Sequence, residues 1–305
     1  MLKFVLKRIA EFIPVLLVIV TLTFFLIRLA PGGPFDSERA VSPEVMAQLK
    51  AHYNLDAPIW RQYLDYVWGV AHGDLGPSFK KPSYTVREWI EMRLPVSLEL
   101  GVYGLAVALV IGLTAGVVAA LRPNSWSDYV PMSMAMVGIC LPTFVLGPLL
   151  VLVFGLWLDW LPVAEWNGPA TKIMPAITLG TVYAAYIARL SRGGMLEVLS
   201  QDFIRTARAK GLGEAAIVLK HGLRGGLQPV VAFLGPAAAG LLTGSFVVET
   251  IFQIPGLGRE FVQAAFNRDY TMILGTVLLY ASLILIFNLL VDVALAWLDP
   301  RLRYD

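Results

Sequence analysis

Cysteine is almost missing from this chain, with Cys140 its only example. One thiol closes no disulfide within the chain and supplies no cysteine-rich metal site. Charge is also scarce, at 15% of residues against about 25% in soluble domains. The 24 basic and 22 acidic residues leave a net +2, without the basic excess that nucleic-acid binding imprints. There is no Gly-x4-Gly-Lys-Ser/Thr loop to cradle a nucleotide and no His-Glu-x-x-His zinc motif. Low-complexity tracts and short tandem repeats are absent as well. What fills the 305 residues is apolar surface, 57% by residue, with a mean hydropathy of +0.68. So much apolar surface exceeds what a water-soluble globule can bury, and the solvent it requires is lipid.

A helix needs about 20 largely apolar residues to cross a bilayer. Six runs meet that need: 9–30, 100–121, a run within 129–158, one starting near 173, one within 225–248, and 270–291. The third carries Pro131, Pro142 and Pro148, enough to kink it or add an interfacial turn. In hydrocarbon each backbone polar group must be satisfied within its own segment, so these runs read as helices. The expectation is an all-α, polytopic membrane protein with six spans. The first run follows Lys3, Lys7 and Arg8 without a small-x-small cleavage site, and is expected to stay as an uncleaved helix.

Basic residues orient the bundle. With the N-terminus inside, Arg122, Arg189, Arg192, Arg205, Arg208, Lys210, Lys220, Arg224, Arg301 and Arg303 all fall on the inner face. The two short outer loops then hold only Lys172, Arg259 and Arg268. Both termini are expected in the cytoplasm.

Two pieces lie outside the spans. The loop 31–96 is too long for a connector and carries Trp60, Tyr63, Tyr66, Trp68 and Trp89. A helix over 43–52 opened by Ser42, and a second, amphipathic helix over 55–68, make it a small outer subdomain. The expected organisation is 1–30, then 31–96, then a core 97–305 containing an inner segment 195–224. That segment is too polar to span. Leu196, Leu199, Phe203 and Ala207 recur at helical spacing, Gly211 and Gly213 interrupt it, and a short helix over 214–223 leads back to the membrane. Such a helix–glycine–helix element forms a rigid protrusion that a partner protein could grip. A basic loop resting on anionic headgroups is the other reading.

The inner segment resembles the cytoplasmic coupling motif of permease subunits of ATP-binding-cassette importers, whose pattern is Glu-Ala-Ala, three residues, then Gly. The matching residues are Arg205, Thr206, Ala207, Arg208, Ala209, Lys210 and Gly211, with Arg205 where the pattern has Glu. RTARAKG at 205–211 followed by KHGLR at 220–224 is typical of the peptide-importing branch. LAPGGPF at 29–35, PEVMA at 43–47, AHGDLGPSFK at 71–80, FQIPGLGR at 252–259, NRDY at 267–270 and LDPRLRY at 298–304 extend the likeness over nearly the whole chain. Together they are most similar to the first of the two membrane subunits of bacterial oligopeptide permeases.

The resemblance implies a multi-pass inner-membrane subunit paired with a second homologous permease subunit. Two cytoplasmic ATPase subunits would dock on the coupling segment, a periplasmic binding protein would deliver oligopeptide, and transport would proceed by ATP-driven alternating access. This chain itself would catalyse nothing and bind no cofactor, ATP and Mg belonging to the ATPases. Permeases for dipeptides, nickel or another small solute share the fold.

Other patterns weigh less. LSRGG at 190–194 ends a membrane helix, and PGLG at 255–258 lacks a strand–turn–helix context; packing and a turn explain them. An intramembrane protease built on Ser245 would need a base, yet His52, His72 and His221 all fall outside the spans. No charged ring or filter motif suggests a channel. Gly112-x3-Gly116 and Gly240-x3-Gly244 permit close helix approach. The small-residue fifth helix, with Gly240, Gly244 and Ser245, could line a translocation path or simply pack tightly.

Overall fold

The computed structural model describes residues 2–30, 32–35, 43–242 and 245–298. Among them the regular structure is helical, and the only bridge between extended residues joins Pro77 to Thr85. In chain order the helices are α1 (Leu2–Leu29), α2 (Pro43–His52), α3 (Ile59–Ala71), α4 (Val86–Leu121), α5 (Trp126–Cys140), α6 (Thr143–Leu150) and α7 (Pro169–Leu199). They continue with α8 (Asp202–Ala209), α9 (Glu214–Ile217), α10 (Leu223–Gly226), α11 (Gln228–Leu242), α12 (Phe246–Ile251), α13 (Leu257–Asn267) and α14 (Tyr270–Leu298). Wide π-type turns prolong α6 over Val151–Trp157 and join α9 to α10 over Val218–Gly222.

Five helical stretches are long and apolar enough to span: Val5–Leu29, Val86–Leu121, Pro169–Leu199, Gln228–Ile251 and Tyr270–Val293. The sixth expected span is the pair Trp126–Cys140 and Thr143–Trp157, bent by 108°. Of its three prolines only Pro142 breaks the helix. Leu141 before it takes an extended conformation (φ −86°, ψ 111°), as the ring of a following proline demands. Pro131 and Pro148 stay inside α5 and α6. At 36 residues α4 is about 54 Å long, well beyond the bilayer core, so part of it projects from the membrane.

The chain forms two compact units, Met1–Val96 with Pro255–Leu285, and Ser97–Ile254 with Ile286–Asp305. The first has a core where Val86, Trp89 and Ile90 of α4 meet Leu257 and Ala264 of α13 and Met272 of α14. A second cluster joins Phe35, Phe79 and Tyr270, with Met46, Leu49 and Tyr53 against it. Ser42, expected to cap α2, lies outside the described residues.

Asp269 ties this unit together. Its carboxylate accepts Ser78 Oγ–H at 2.5 Å, the Phe79 N–H at 3.2 Å and the Met272 N–H at 3.3 Å, at the start of α14. Arg268 before it is left-handed (φ 57°) and ends α13. Tyr270 Oη donates to Gly32 O at 3.1 Å. Three motifs far apart in sequence, at 29–35, 71–80 and 267–270, are thus one another's partners.

In the second unit α4 and α7 meet backbone to backbone. A Cβ on Gly112 would lie 2.7 Å from Ala184 O, and one on Gly180 2.5 Å from Gly104 O. Without side chains at these points the helices close to direct contact, and Ala108, Ala184, Ile187 and Val230 fill the remaining space. Gly116 similarly admits Ser191. Asp128 of α5, buried, takes two hydrogen bonds at 2.6 Å from Arg192 of α7 and a third from Asn124 N–H at 3.0 Å.

Candidate functional site

The inner segment is built by stopping and restarting a helix. Helix α7 ends at Leu199, Gln201 turns extended (φ −77°, ψ 155°), and α8 begins at Asp202. Acidic Asp202 in its first turn and basic Arg208 in its last complement the helix dipole. The chain then reverses. Gly211 sits at φ +80° with nothing within 4 Å of a Cβ position, so backbone conformation rather than space requires glycine there. The turn is closed by Gly211 N–H to Arg208 O at 2.9 Å and Leu212 N–H to Ala207 O at 3.3 Å.

One apolar core holds the two arms. Ile204 and Ala207 of α8 and Ile217 of α9 are buried, with Leu199 and Leu212 packed against them. Fully burying Ile204 and Ile217 contributes roughly 1.5–3 kcal/mol each, enough to hold a short hairpin of helices. Phe203, expected on the buried stripe, is 46% exposed. An unbroken helix over 196–207 would turn Phe203 inward with Leu199 and Ala207; the break at Ser200–Gln201 resets the turn and brings Ile204 inward instead.

The outer surface is polar. Arg205, Thr206, Arg208, Ala209, Lys210 and Gly211 are all exposed, and only Ala207 of the expected coupling residues is buried. Arg205 faces Asp202 at 3.5 Å. Arg208 straps α8 to α9 through Glu214, with hydrogen bonds of 2.8 and 3.3 Å. The Arg208 hydrogen bond, with its charge, holds the Glu214 carboxyl below the usual carboxylate range. The same bond raises Arg208.

The expected path residues separate. Gly240 is exposed on α11, and its missing side chain leaves room for the Tyr183 hydroxyl of α7. Gly244 lies outside the described residues. Ser245 caps α12, its Oγ accepting Val248 N–H at 3.3 Å. Three further polar arrangements stand in this unit, and of these the sequence marks only Glu249, as a candidate buried charge near the end of the fifth span, without naming its partner. They are the Asp128–Arg192 pair, the Ser97 Oγ–H bond to buried Glu249 at 2.7 Å, and Glu99 holding both Lys172 and the Trp166 indole. Their only sequence signal is a charge or hydroxyl at a span end, which names no partner.

The rejected patterns have structural roles. Gly194 of the LSRGG run lies against the Gly226 backbone. Gly256 of the PGLG run caps α13. Among the described residues no three His, Cys, Asp or Glu side chains gather where a metal could sit.

Residues 112–304 match the family described as "Binding-protein-dependent transport system inner membrane component", and residues 1–101 match its N-terminal region. The chain belongs to this family. Curated relatives align over its full length and theirs. The oligopeptide transport system permease protein OppB of Haemophilus influenzae is 48% identical and that of Salmonella typhimurium 49%, each covering 100% of both chains. The dipeptide transport system permease protein DppB of Bacillus subtilis is 45% identical over 99% of this chain and 98% of its own. Among solved structures, the inward-facing MetNI methionine ABC transporter superposes with a TM-score of 0.58 at 18% identity, over 69% of this chain and 96% of that one. That likeness establishes the fold, which is all-α and of the kind found in this ABC transporter. The family makes the chain a multi-pass inner-membrane transport component that works with a binding protein.

Proposed function

We propose that this chain is a permease subunit of an ABC importer that carries oligopeptides from the periplasm into the cytoplasm by ATP-driven alternating access. The observation that carries the reading is end-to-end identity of 48–49% to oligopeptide permease proteins. Dipeptide import is the second reading, favoured by the 45% identical relative.

In this proposal a second, homologous permease subunit completes the bundle, and two ATPase subunits supply the energy. A periplasmic binding protein delivers peptide, and both termini face the cytoplasm. The chain performs no catalysis and holds no cofactor; nucleotide and Mg belong to the ATPases. Residues 205–211 form the coupling surface. The support is geometric: an exposed polar face on a helical hairpin with its own apolar core, tied directly to the end of α7. An ATPase that binds the two states of the bundle unequally shifts their populations, and a stiff hairpin on a spanning helix transmits that difference.

The test compares the reconstituted complex with Gly211→Pro and Ala207→Glu variants, measuring ATPase stimulation by peptide-loaded binding protein and peptide uptake. Proline cannot adopt φ +80° and removes the N–H that reaches Arg208 O. Glutamate at Ala207 places a charge in the hairpin core. The expected result is joint loss of stimulation and uptake in a complex that still assembles. Retention of both would move the coupling surface elsewhere.

A further inference from the structure

The first unit holds a pocket of about 340 Å³ where the end of α1, the α2–α3 turn, α3, the loop before α4 and the start of α14 meet. This is the small end of the range for ligand sites. Its walls are aromatic, with Phe24, Tyr66 and Tyr270 among them, and Arg28 is the one Lys or Arg among its described lining residues. The guanidinium lies 3.5 Å from the Phe24 ring centroid and 5.6 Å from that of Tyr270. It donates to Phe24 O at 3.1 Å and Gln62 Oε1 at 3.0 Å. Both acceptors are neutral, and no carboxylate pairs with Arg28 among the described residues.

Gln62 is itself fixed. Its amide donates to Leu55 O at 3.0 Å and Ala57 O at 2.8 Å, which aims the oxygen at Arg28 and sets the fork in place. Tyr66 stands beside Phe24, with ring centroids 6.4 Å apart, and lines the same pocket. Its hydroxyl is buried and has no hydrogen-bond partner among the described residues, and burial raises its pKa. A half-buried guanidinium without a counter-ion and a buried hydroxyl without a partner are each costly. An anion that enters the pocket beside Arg28 removes the first of these costs. Exposed Asp65 and Asp74 at the rim set the opposite preference at the mouth, for a cation. The complement of this arrangement is a zwitterion with an apolar body.

We propose that the pocket binds the carboxyl-terminal end of a short peptide, its carboxylate held by Arg28 and its apolar side chain against the aromatic walls that include Tyr66. This rests on the peptide-transport reading above and adds to it a contact site on the permease itself. A phospholipid phosphate offers Arg28 the same anionic chemistry, but the two rim carboxylates oppose an anionic headgroup. The guanidinium fork matches a carboxylate in two-point geometry.

The experiment uses the full-length chain purified in its complex, in nanodiscs of zwitterionic lipid and without binding protein. Calorimetry compares Ala-Ala-Phe as the free acid with the same peptide as its C-terminal amide. A charged hydrogen bond contributes about 1.5–3 kcal/mol, so the acid is expected to bind roughly 10- to 100-fold more tightly. Arg28→Gln should erase that difference, and Arg28→Lys should keep part of it. Equal binding of acid and amide, no binding of either, or discrimination that survives Arg28→Gln would each overturn the proposal. So would displacement of the acid by phosphatidylglycerol vesicles, which would assign the pocket to lipid. The comparison on the unmodified chain decides even if the Arg28 variants fail to fold. It needs neither ATP nor uptake, so binding without transport would sink the transport reading alone.

Discussion

Gly211 and the pair Arg208–Glu214 carry the turn of the inner hairpin by different means. The glycine supplies a left-handed backbone that other L-residues adopt at a cost of about 1–2 kcal/mol, and the ion pair clips the arms on the exposed side. Arg208 holds the Glu214 carboxyl below its ordinary range. The clip is therefore in place at neutral pH and through the usual carboxylate range, and opens only as pH falls through the lowered value. A spin label on exposed Ala215 should become mobile in that acidic window, and with Arg208→Gln should be mobile already at neutral pH. A label whose mobility ignores both changes would show that the apolar core of Ile204, Ala207 and Ile217 suffices alone.

The contact of α4 with α7 depends on missing side chains. Gly112→Val would drive a Cβ to 2.7 Å from Ala184 O and 2.8 Å from Ile187 Cβ, an overpacking that costs about 1–3 kcal/mol. Its thermal unfolding midpoint in detergent should fall by several degrees, while Gly193→Val, with nothing within 4 Å, should change it little. This packing was legible in the sequence, because Gly-x3-Gly within an uncharged run has few other uses. The spans and the inner hairpin were legible for similar reasons: hydropathy and glycine position are local signals. What could not be read arises where one local event resets the pattern. Three prolines in the 129–158 run look alike, yet only Pro142 bends it. The two-residue break before Asp202 moved burial from Phe203 to Ile204. Pairings such as Ser78 with Asp269 or Gln62 with Arg28 join residues far apart in the chain, and no period encodes them.

For the whole molecule the bent pair α5–α6 decides the topology. If it crosses the membrane, loop 31–96 and hairpin 195–224 face opposite sides; if it re-enters, they share one. In a Cys140→Ser background, Lys50→Cys and Lys210→Cys, each exposed, report this with a membrane-impermeant maleimide. Six spans predict that Lys50→Cys labels from outside intact cells and Lys210→Cys only in inverted vesicles. Labelling of both from outside would make the bent pair a re-entrant hairpin. The hold of Asp269 on Ser78 and Phe79 adds an element of time. The two ends of that clasp are 191 residues apart, about 10–40 s of synthesis at ordinary translation rates. Throughout that interval the early loop has no Asp269 to close on. The first unit is therefore completed only after α13 has been made, and a chain truncated before Asp269 would leave its first loop open to proteases.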